Sequence, residues 1–175
     1  MTAPEGRVRV WDPVVRVTHW GIVAAFLVGY VSHGGYLFVH RVSGYALLAL
    51  VAVRIAWGFL GPESARFARF VPAPRRLFAY LGQLLRGREP RFIGHNPAGG
   101  AMIVVLLALL LAVCVTGLVL DTPAFRDDRS FKQVHDAISD GIVACVFLHL
   151  LGVAHASWRH RENLVAAMFT GMKRR

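Results

Sequence analysis

The stretch Ser130–Arg159, SFKQVHDAISDGIVACVFLHLLGVAHASWR, contains two histidines, His135 and His149, that are fourteen residues apart. A run this long and apolar predicts a helix, in which fourteen residues rise about 21 Å and end about 40° short of four full turns. The two imidazoles are therefore expected on nearly one face, near opposite sides of a bilayer. This spacing favours two stacked cofactors over a single metal ion. His155 lies about 240° around the helix from His149 and is expected to point elsewhere.

The composition of the chain is that of a membrane protein. Of its 175 residues, 55% are hydrophobic and 17% are charged, which is too apolar for a soluble domain. A net charge of +10 can indicate nucleic acid binding. Here the positive residues lie between apolar runs, so orientation in a membrane explains them better, and no nucleic acid partner is expected. Cys114 and Cys145 both lie inside apolar runs and predict buried, inert thiols.

Four apolar runs predict an all-α fold, an integral membrane four-helix bundle. Asp12-Pro13 and Asn96-Pro97 are typical helix starts, and Ser130 with Gln133 forms a candidate capping box for the fourth helix. We expect one membrane domain over residues 1–175, with spans at about residues 13–33, 37–60, 97–120 and 131–159.

The segment between spans two and three has apolar residues at helical spacing with arginines between them. This pattern predicts an amphipathic helix in the headgroup region. Its apolar residues are Leu77, Phe78, Leu81, Leu84 and Leu85. Fifteen of the twenty Lys and Arg residues lie on one side of a four-span chain and four on the other, with Arg54 inside the second span. The excess of positive charge predicts that both termini face the cytoplasm.

Four of the eight histidines fall into two pairs by depth. With both termini inside, His19 and His149 lie near the cytoplasmic face, whereas His40 and His135 begin helices on the outer side. Two haems, each ligated by neutral imidazoles from two helices, fit this pattern, whereas zinc would need a tighter cluster with Cys, Asp or Glu. A lone membrane histidine can simply hydrogen-bond a neighbouring helix, so the prediction rests on the four paired histidines taken together. Three others are expected to be non-ligands: His33, His155 and His160.

Three further residues are candidate parts of the cofactor sites. Gly44 lies one turn after His40 and either makes room for a flat macrocycle or permits close helix packing. Arg54, fourteen residues after His40, either pairs with a haem propionate or extends to the cytoplasmic surface. His95 begins the third span and either bonds a propionate or a quinone, or caps and solvates the helix end.

Several short motifs occur in order along nearly the whole chain. They are Arg16-Val17-Thr18-His19-Trp20, His40-x-x-x-Gly44-Tyr45, Arg54-x-x-Trp57-Gly58-Phe59-x-Gly61, Gly94-His95-Asn96-Pro97, His149-x-x-Gly152-Val153 and His160-Arg161-Glu162-Asn163-Leu164-Val165. Together they resemble the bacterial cytochrome b561 and hydrogenase-type cytochrome b superfamily. The resemblance implies a multi-pass protein of the bacterial inner membrane with two b-type haems, ligated by His19, His40, His135 and His149. Related chains often have a glutamate beside the histidine that matches His135, where this chain has Asp136.

The resemblance also implies transmembrane electron transfer between the quinone pool and a redox partner, such as a periplasmic cytochrome c or a hydrogenase. Membrane lipid and quinone are the other expected partners, and a homodimer is left open. A membrane cytochrome b subunit of a hydrogenase is an alternative form of this function, and two other functions stay open. One is a stand-alone oxidoreductase that acts on quinol or superoxide at an exposed haem edge, and the other is a non-redox membrane anchor or transporter. A haem spectrum of the purified protein separates the last of these from the rest.

Overall fold

A computed structural model describes residues 6–174 of the chain, which is mostly helical. In chain order, the elements are β1 (Arg7–Arg9), α1 (Pro13–Ser32), α2 (Leu37–Leu60), α3 (Phe67–Phe70), α4 (Pro74–Leu85), α5 (Pro97–Leu120), α6 (Arg129–Arg159), α7 (Leu164–Thr170) and β2 (Met172–Arg174). Four of the helices, α1, α2, α5 and α6, are long and apolar enough to cross a membrane. They match the four predicted spans to within two residues at each end.

Polar side chains begin α1 and α5 at the predicted positions. The Asp12 carboxylate accepts hydrogen bonds from the backbone N–H groups of Val14 (2.9 Å) and Val15 (3.2 Å). The Asn96 side-chain oxygen accepts one from the N–H of Gly99 (2.7 Å). Each cap satisfies N–H groups that have no partner inside the helix, which confirms both predicted starts.

The predicted capping box of α6 was wrong. The helix begins at Arg129, and the Asp128 carboxylate, rather than Ser130, accepts a hydrogen bond from the N–H of Phe131 (3.0 Å). A carboxylate at the N-terminus of a helix also interacts favourably with the helix dipole. The start therefore lies two residues before the predicted one.

The long helices pack in two pairs that share one core. Helix α1 packs along α2, α5 packs along α6, and contacts between α2 and α5 join the pairs. The buried core residues are Leu47, Val51, Leu107, Leu110, Val113, Cys114 and Ile142, from α2, α5 and α6. Within residues 6–174, α6 has no comparable packing along α1 or α2. The backbone of α6 is therefore farther from α1 and α2 than from α5, although Tyr30 of α1 donates a hydrogen bond to Asp140 of α6 (3.3 Å).

Both described ends of the chain meet on one side of the bundle. Strands β1 and β2 pair antiparallel, with Val8 opposite Lys173. Phe169 of α7 stacks on Trp20 of α1, with ring centroids 4.3 Å apart and an interplanar angle of 18°. Neither strand is predicted from the sequence, because three-residue strands have no detectable periodicity. A chain that crosses a membrane an even number of times must have both of its ends on the same side.

The segment between α2 and α5 covers the same end. Helix α3 lies against α5 so closely that a Cβ at Gly100 would be 2.2 Å from the Phe70 carbonyl oxygen, so only glycine fits there. Helix α4 occupies the segment in which an amphipathic helix is predicted. Its Tyr80 is buried, whereas Phe78 and Leu85 are 70% and 89% exposed.

Candidate functional site

His40 and His135 face each other near one end of the bundle. We call them the outer pair, after the predicted orientation. His40 lies in the first turn of α2 and His135 in the second turn of α6, and their ring centroids are 6.1 Å apart. Two imidazoles that bind one metal from opposite sides, at metal–nitrogen distances of about 2 Å, have ring centres about 6 Å apart. The outer pair therefore has the separation of two axial ligands.

Each ring of the outer pair is held through Nδ1. His40 Nδ1 lies 2.9 Å from the carbonyl oxygen of Gly29, on α1. His135 Nδ1 lies 2.9 Å from the hydroxyl oxygen of Thr116, on α5. Within the described residues, neither Nε2 makes a hydrogen bond. Metal-binding histidines typically have this pattern, in which one ring nitrogen is engaged by the protein and the other is left for the metal.

His19 and His149 lie at the other end of the bundle, and we call them the inner pair. His149 and Arg54 both lie close enough to His19 for their charges to interact with its ring. Arg54 is only 6% exposed, and its guanidinium carbon lies 5.7 Å from the centre of the Phe67 ring. His19 Nδ1 and Arg54 Nη1 are buried with no hydrogen-bond partner in residues 6–174. Buried polar groups are normally satisfied, so both atoms are available to a hydrogen-bond partner from outside the chain.

The ring of His95 lies between two aromatic rings just before α5. Its centroid is 4.4 Å from that of Trp11 and 4.6 Å from that of Phe70. Burial, together with the charges of Arg54 and Lys173, lowers the pKa of His95 to about 3. The imidazole is therefore neutral near pH 7. Asn96, rather than His95, caps α5, which removes capping as the reason for a histidine here.

Open space lies beside both pairs. A Cβ at Gly44, one turn after His40, would meet nothing within 4 Å, and the same holds for Gly152, three residues after His149. Gly44 is thus not a site of close helix packing. These glycines and the spacing of the outer pair fit a flat macrocycle with a central metal. At the inner pair, the buried, unpartnered guanidinium nitrogen of Arg54 fits a carboxylate of the same group.

His155 lies in a different setting from the two pairs. Its Nε2 is 3.4 Å from the carboxylate of Glu89, which also accepts a hydrogen bond from Arg159 Nε (3.2 Å). The backbone N–H of Glu89 and these two side chains lower the pKa of the buried carboxyl. The contact fixes the loop after α4 to the last turns of α6. It agrees with the expectation that His155 points away from the other two histidines of its helix.

Thr116 and Glu89 were not identified from the sequence. Thr116 lies near the end of α5 at a depth similar to that of His135, so counting helical rise back from the turn could have found it. Its orientation toward His135 depends on how α5 and α6 pack.

Among residues 6–174, no three His, Cys, Asp or Glu side chains form a group that could hold a metal ion. The histidine pairs are therefore the candidate ligand sets.

Comparison with known proteins assigns the chain to a family. The model of the prokaryotic cytochrome b561 family matches residues 10–171. A curated relative, the probable Ni/Fe-hydrogenase B-type cytochrome subunit of Rhizobium leguminosarum bv. viciae, is 24% identical over 173 residues, which cover 85% of this chain and 70% of the relative. No solved structure matches. Because the family match extends over nearly the whole chain, the protein belongs to the prokaryotic cytochrome b561 family, the membrane cytochromes b of electron transport.

Proposed function

We propose that the protein transfers electrons across the bacterial inner membrane through two b-type haems, between the quinone pool and a redox partner protein. His40 and His135 hold the haem on the periplasmic side, and His19 and His149 hold the one on the cytoplasmic side. The observation that carries the proposal is the outer pair, with ring centroids 6.1 Å apart and both Nδ1 atoms engaged by the protein. That geometry leaves both Nε2 atoms for one metal.

The residues around each pair have distinct parts in this proposal. The iron of a haem supplies one-electron transfer when it is bound. Imidazoles on both faces fill the axial positions, which favours outer-sphere transfer over the binding of oxygen. Arg54 offers a buried guanidinium to a propionate of the inner haem. Gly44 leaves room for the ring of the outer haem, and neutral His95 offers a hydrogen bond to a propionate or a quinone at the inner end.

The proposal includes an orientation. The single domain, residues 1–175, has both termini in the cytoplasm, because that side holds fifteen of the twenty Lys and Arg residues. The pairing of β1 with β2 supports a common side for both ends. Helix α4 lies in the headgroup region of the same side. Its exposed Phe78 and Leu85 support contact with acyl chains.

A cleft beside the inner pair supports the link to quinone. It has a volume of about 360 Å³ and is lined by Pro13, Arg16, Val17, Trp20, Met168 and Phe169. The Trp20 ring, which lines the cleft, has its centroid 5.0 Å from that of the His19 ring, so the cleft lies next to an inner ligand. Its largely apolar lining suits the ring and tail of a quinone better than a charged substrate.

A hydrogenase is the redox partner that the comparisons favour. The Rhizobium relative is named as a probable Ni/Fe-hydrogenase B-type cytochrome subunit, and the alignment covers 70% of that protein. With a hydrogenase as the partner, hydrogen reduces the cytochrome in membranes that contain the hydrogenase, which oxidises hydrogen and passes the electrons on. If the protein is a stand-alone quinol oxidoreductase, quinol reduces it without the hydrogenase. Reduction by each donor, followed in the same vesicles, separates the two.

The test of the proposal is the haem content of the purified protein and its histidine variants. The wild type is expected to bind two haems per chain with low-spin b-type spectra. Each of H19A, H40A, H135A and H149A is expected to lose one of them, because each removes one axial ligand. H155A is the matched control, since it removes a histidine from the same helix as two of the ligands and should retain both haems. A wild type without haem, or H135A with two intact low-spin haems, would contradict the proposal.

A further inference from the structure

The hydroxyl of Thr116 connects α5 to the outer pair. Its oxygen lies 3.0 Å from the carbonyl oxygens of both Ala112 and Val113, one turn earlier in the same helix, and 2.9 Å from His135 Nδ1. A hydroxyl has one proton, and its oxygen can accept a hydrogen bond at the same time. With the proton donated to a backbone carbonyl, the oxygen accepts a hydrogen bond from Nδ1–H of His135. This arrangement puts the ring proton on Nδ1 and the lone pair on Nε2.

The opposite ring has the same tautomer for a simpler reason. His40 Nδ1 lies 2.9 Å from the Gly29 carbonyl oxygen, which can only accept, so Nδ1 carries the proton. A Cβ at Gly29 would be 3.1 Å from the Ser43 hydroxyl oxygen, which shows how closely α1 approaches α2 at this point. Both imidazoles of the outer pair are thus oriented by hydrogen bonds that they donate to neighbouring helices.

The inner pair lacks this support in the described part of the chain. His19 Nδ1 is buried without a partner. Thr18, next to His19, is also buried, and its hydroxyl donates to the carbonyls of Val14 (2.7 Å) or Val15 (3.2 Å). Thr18 and Thr116 therefore make the same backbone contacts within their helices. Only Thr116 also contacts an imidazole.

We propose that Thr116 is a positioning residue for His135, which sets the tautomer, the ring orientation and the donor strength of that ligand; this inference rests on the proposed haem at the outer pair. A hydrogen bond from the far ring nitrogen makes a coordinated imidazole more basic. A more basic ligand stabilises the oxidised, more positively charged iron. The Thr116 hydroxyl therefore lowers the midpoint potential of the outer haem.

The experiment compares three variants by redox titration of the purified, haem-loaded protein. Thr116→Val keeps the shape of the side chain but removes the hydroxyl, and we expect one of the two midpoint potentials to rise while the other stays unchanged. The ligand-field signals of one haem in low-temperature electron paramagnetic resonance should shift with it. Thr116→Ser keeps the hydroxyl and should restore the wild-type potential and spectrum. Thr18→Val removes the equivalent backbone contacts in α1. It should leave unchanged the midpoint potential that Thr116→Val raises.

Each outcome decides one question. Loss of one haem in Thr116→Val, with both retained in Thr116→Ser, also supports the proposal, because the hydroxyl is then needed to hold the ligand. Two unchanged potentials in Thr116→Val would overturn it, and so would equal effects of the valine and serine variants. A wild type that binds no haem would contradict the proposed function itself, whereas two haems that are insensitive to Thr116 would contradict only this inference.

Discussion

Burial determines the protonation of His95, a histidine outside the membrane spans. Its folded-state pKa of about 3 lies below the ordinary value of 6.5, because the ring is desolvated between Trp11 and Phe70 and repelled by two cations. The unfolded chain therefore binds a proton in a pH range where the folded protein does not. The contribution of His95 to stability is complete above pH 6.5 and is lost as the pH falls from 6.5 toward 3.

We predict that His95→Gln reduces the acid sensitivity of the protein. Wild-type stability should fall between pH 6.5 and pH 4 with a slope that includes up to about 1.4 kcal/mol per pH unit from this one group. The variant, which cannot take up that proton, should show a shallower decline. Thermal unfolding in detergent at several pH values measures it. His33→Gln, which replaces an exposed loop histidine, is the control and should retain the wild-type slope. Equal slopes in His95→Gln and the wild type would contradict the prediction.

Helix α4 has two apolar stripes with different surroundings. One includes Tyr80, which is buried and packs near Phe92 with ring centroids 5.9 Å apart. The other contains Phe78 and Leu85, which are seven residues apart and largely exposed. Arginines lie at both ends of the helix. A helix of this kind packs against the protein on one face and dips into the bilayer with another.

We predict that position 85 lies in the lipid phase and position 83 in water. Nitroxide labels at Leu85→Cys and at Gln83→Cys, in a chain whose two native cysteines are replaced by alanine, test this in lipid vesicles. The label at position 85 should collide more often with oxygen, which concentrates in the acyl region, and the label at position 83 with a water-soluble nickel complex. Residue 83 lies about 200° around the helix from residue 85 and so serves as the matched control. Equal accessibility to both reagents at the two positions would place α4 away from the membrane.

At the scale of the whole molecule, one carboxylate joins three separate parts of the chain. Glu162, in the turn between α6 and α7, accepts hydrogen bonds from the backbone N–H of Arg174 (3.1 Å) and from Arg91 (3.4 Å). Its other oxygen lies 3.5 Å from Nζ of Lys173. Burial lowers the pKa of Lys173, whereas Glu162 acts in the opposite direction and stabilises its charge. The carboxylate therefore holds the loop before α5 and strand β2 against the end of α6.

We predict that Glu162→Gln destabilises the protein by about 3 kcal/mol, because it leaves the buried ammonium of Lys173 without a counter-charge. Glu63→Gln removes a carboxylate from an exposed ion pair with Arg69 and should cost at most about 1 kcal/mol. Thermal unfolding of both variants in detergent gives the comparison. Similar losses in the two variants would show that the buried pair has no special role.

Much of the fold follows from local chemistry. Asp12 and Asn96 start α1 and α5 at the predicted residues, and the apolar runs end where Gly, Pro or Asp follow. The start of α6 was misplaced because Asp128 and Ser130 are both good caps, and the choice between them depends on the conformation of the preceding loop. The short α3 and the β1–β2 pair were not predicted, since each is too short to have a periodic pattern.

The sequence by itself determined the number and length of the long apolar helices, the segments in which positive charge is concentrated, and the position of each histidine along its helix. These properties depend on apolar length, on charge counts and on the rise of a helix, which are all local quantities. Only the tertiary structure decided that His40 faces His135, that Gly29 and Thr116 hold them, and that Glu89 and Glu162 fasten the inner end. Those contacts join residues far apart in the chain. They depend on the rotation of each helix about its axis, which is set by packing against its neighbours.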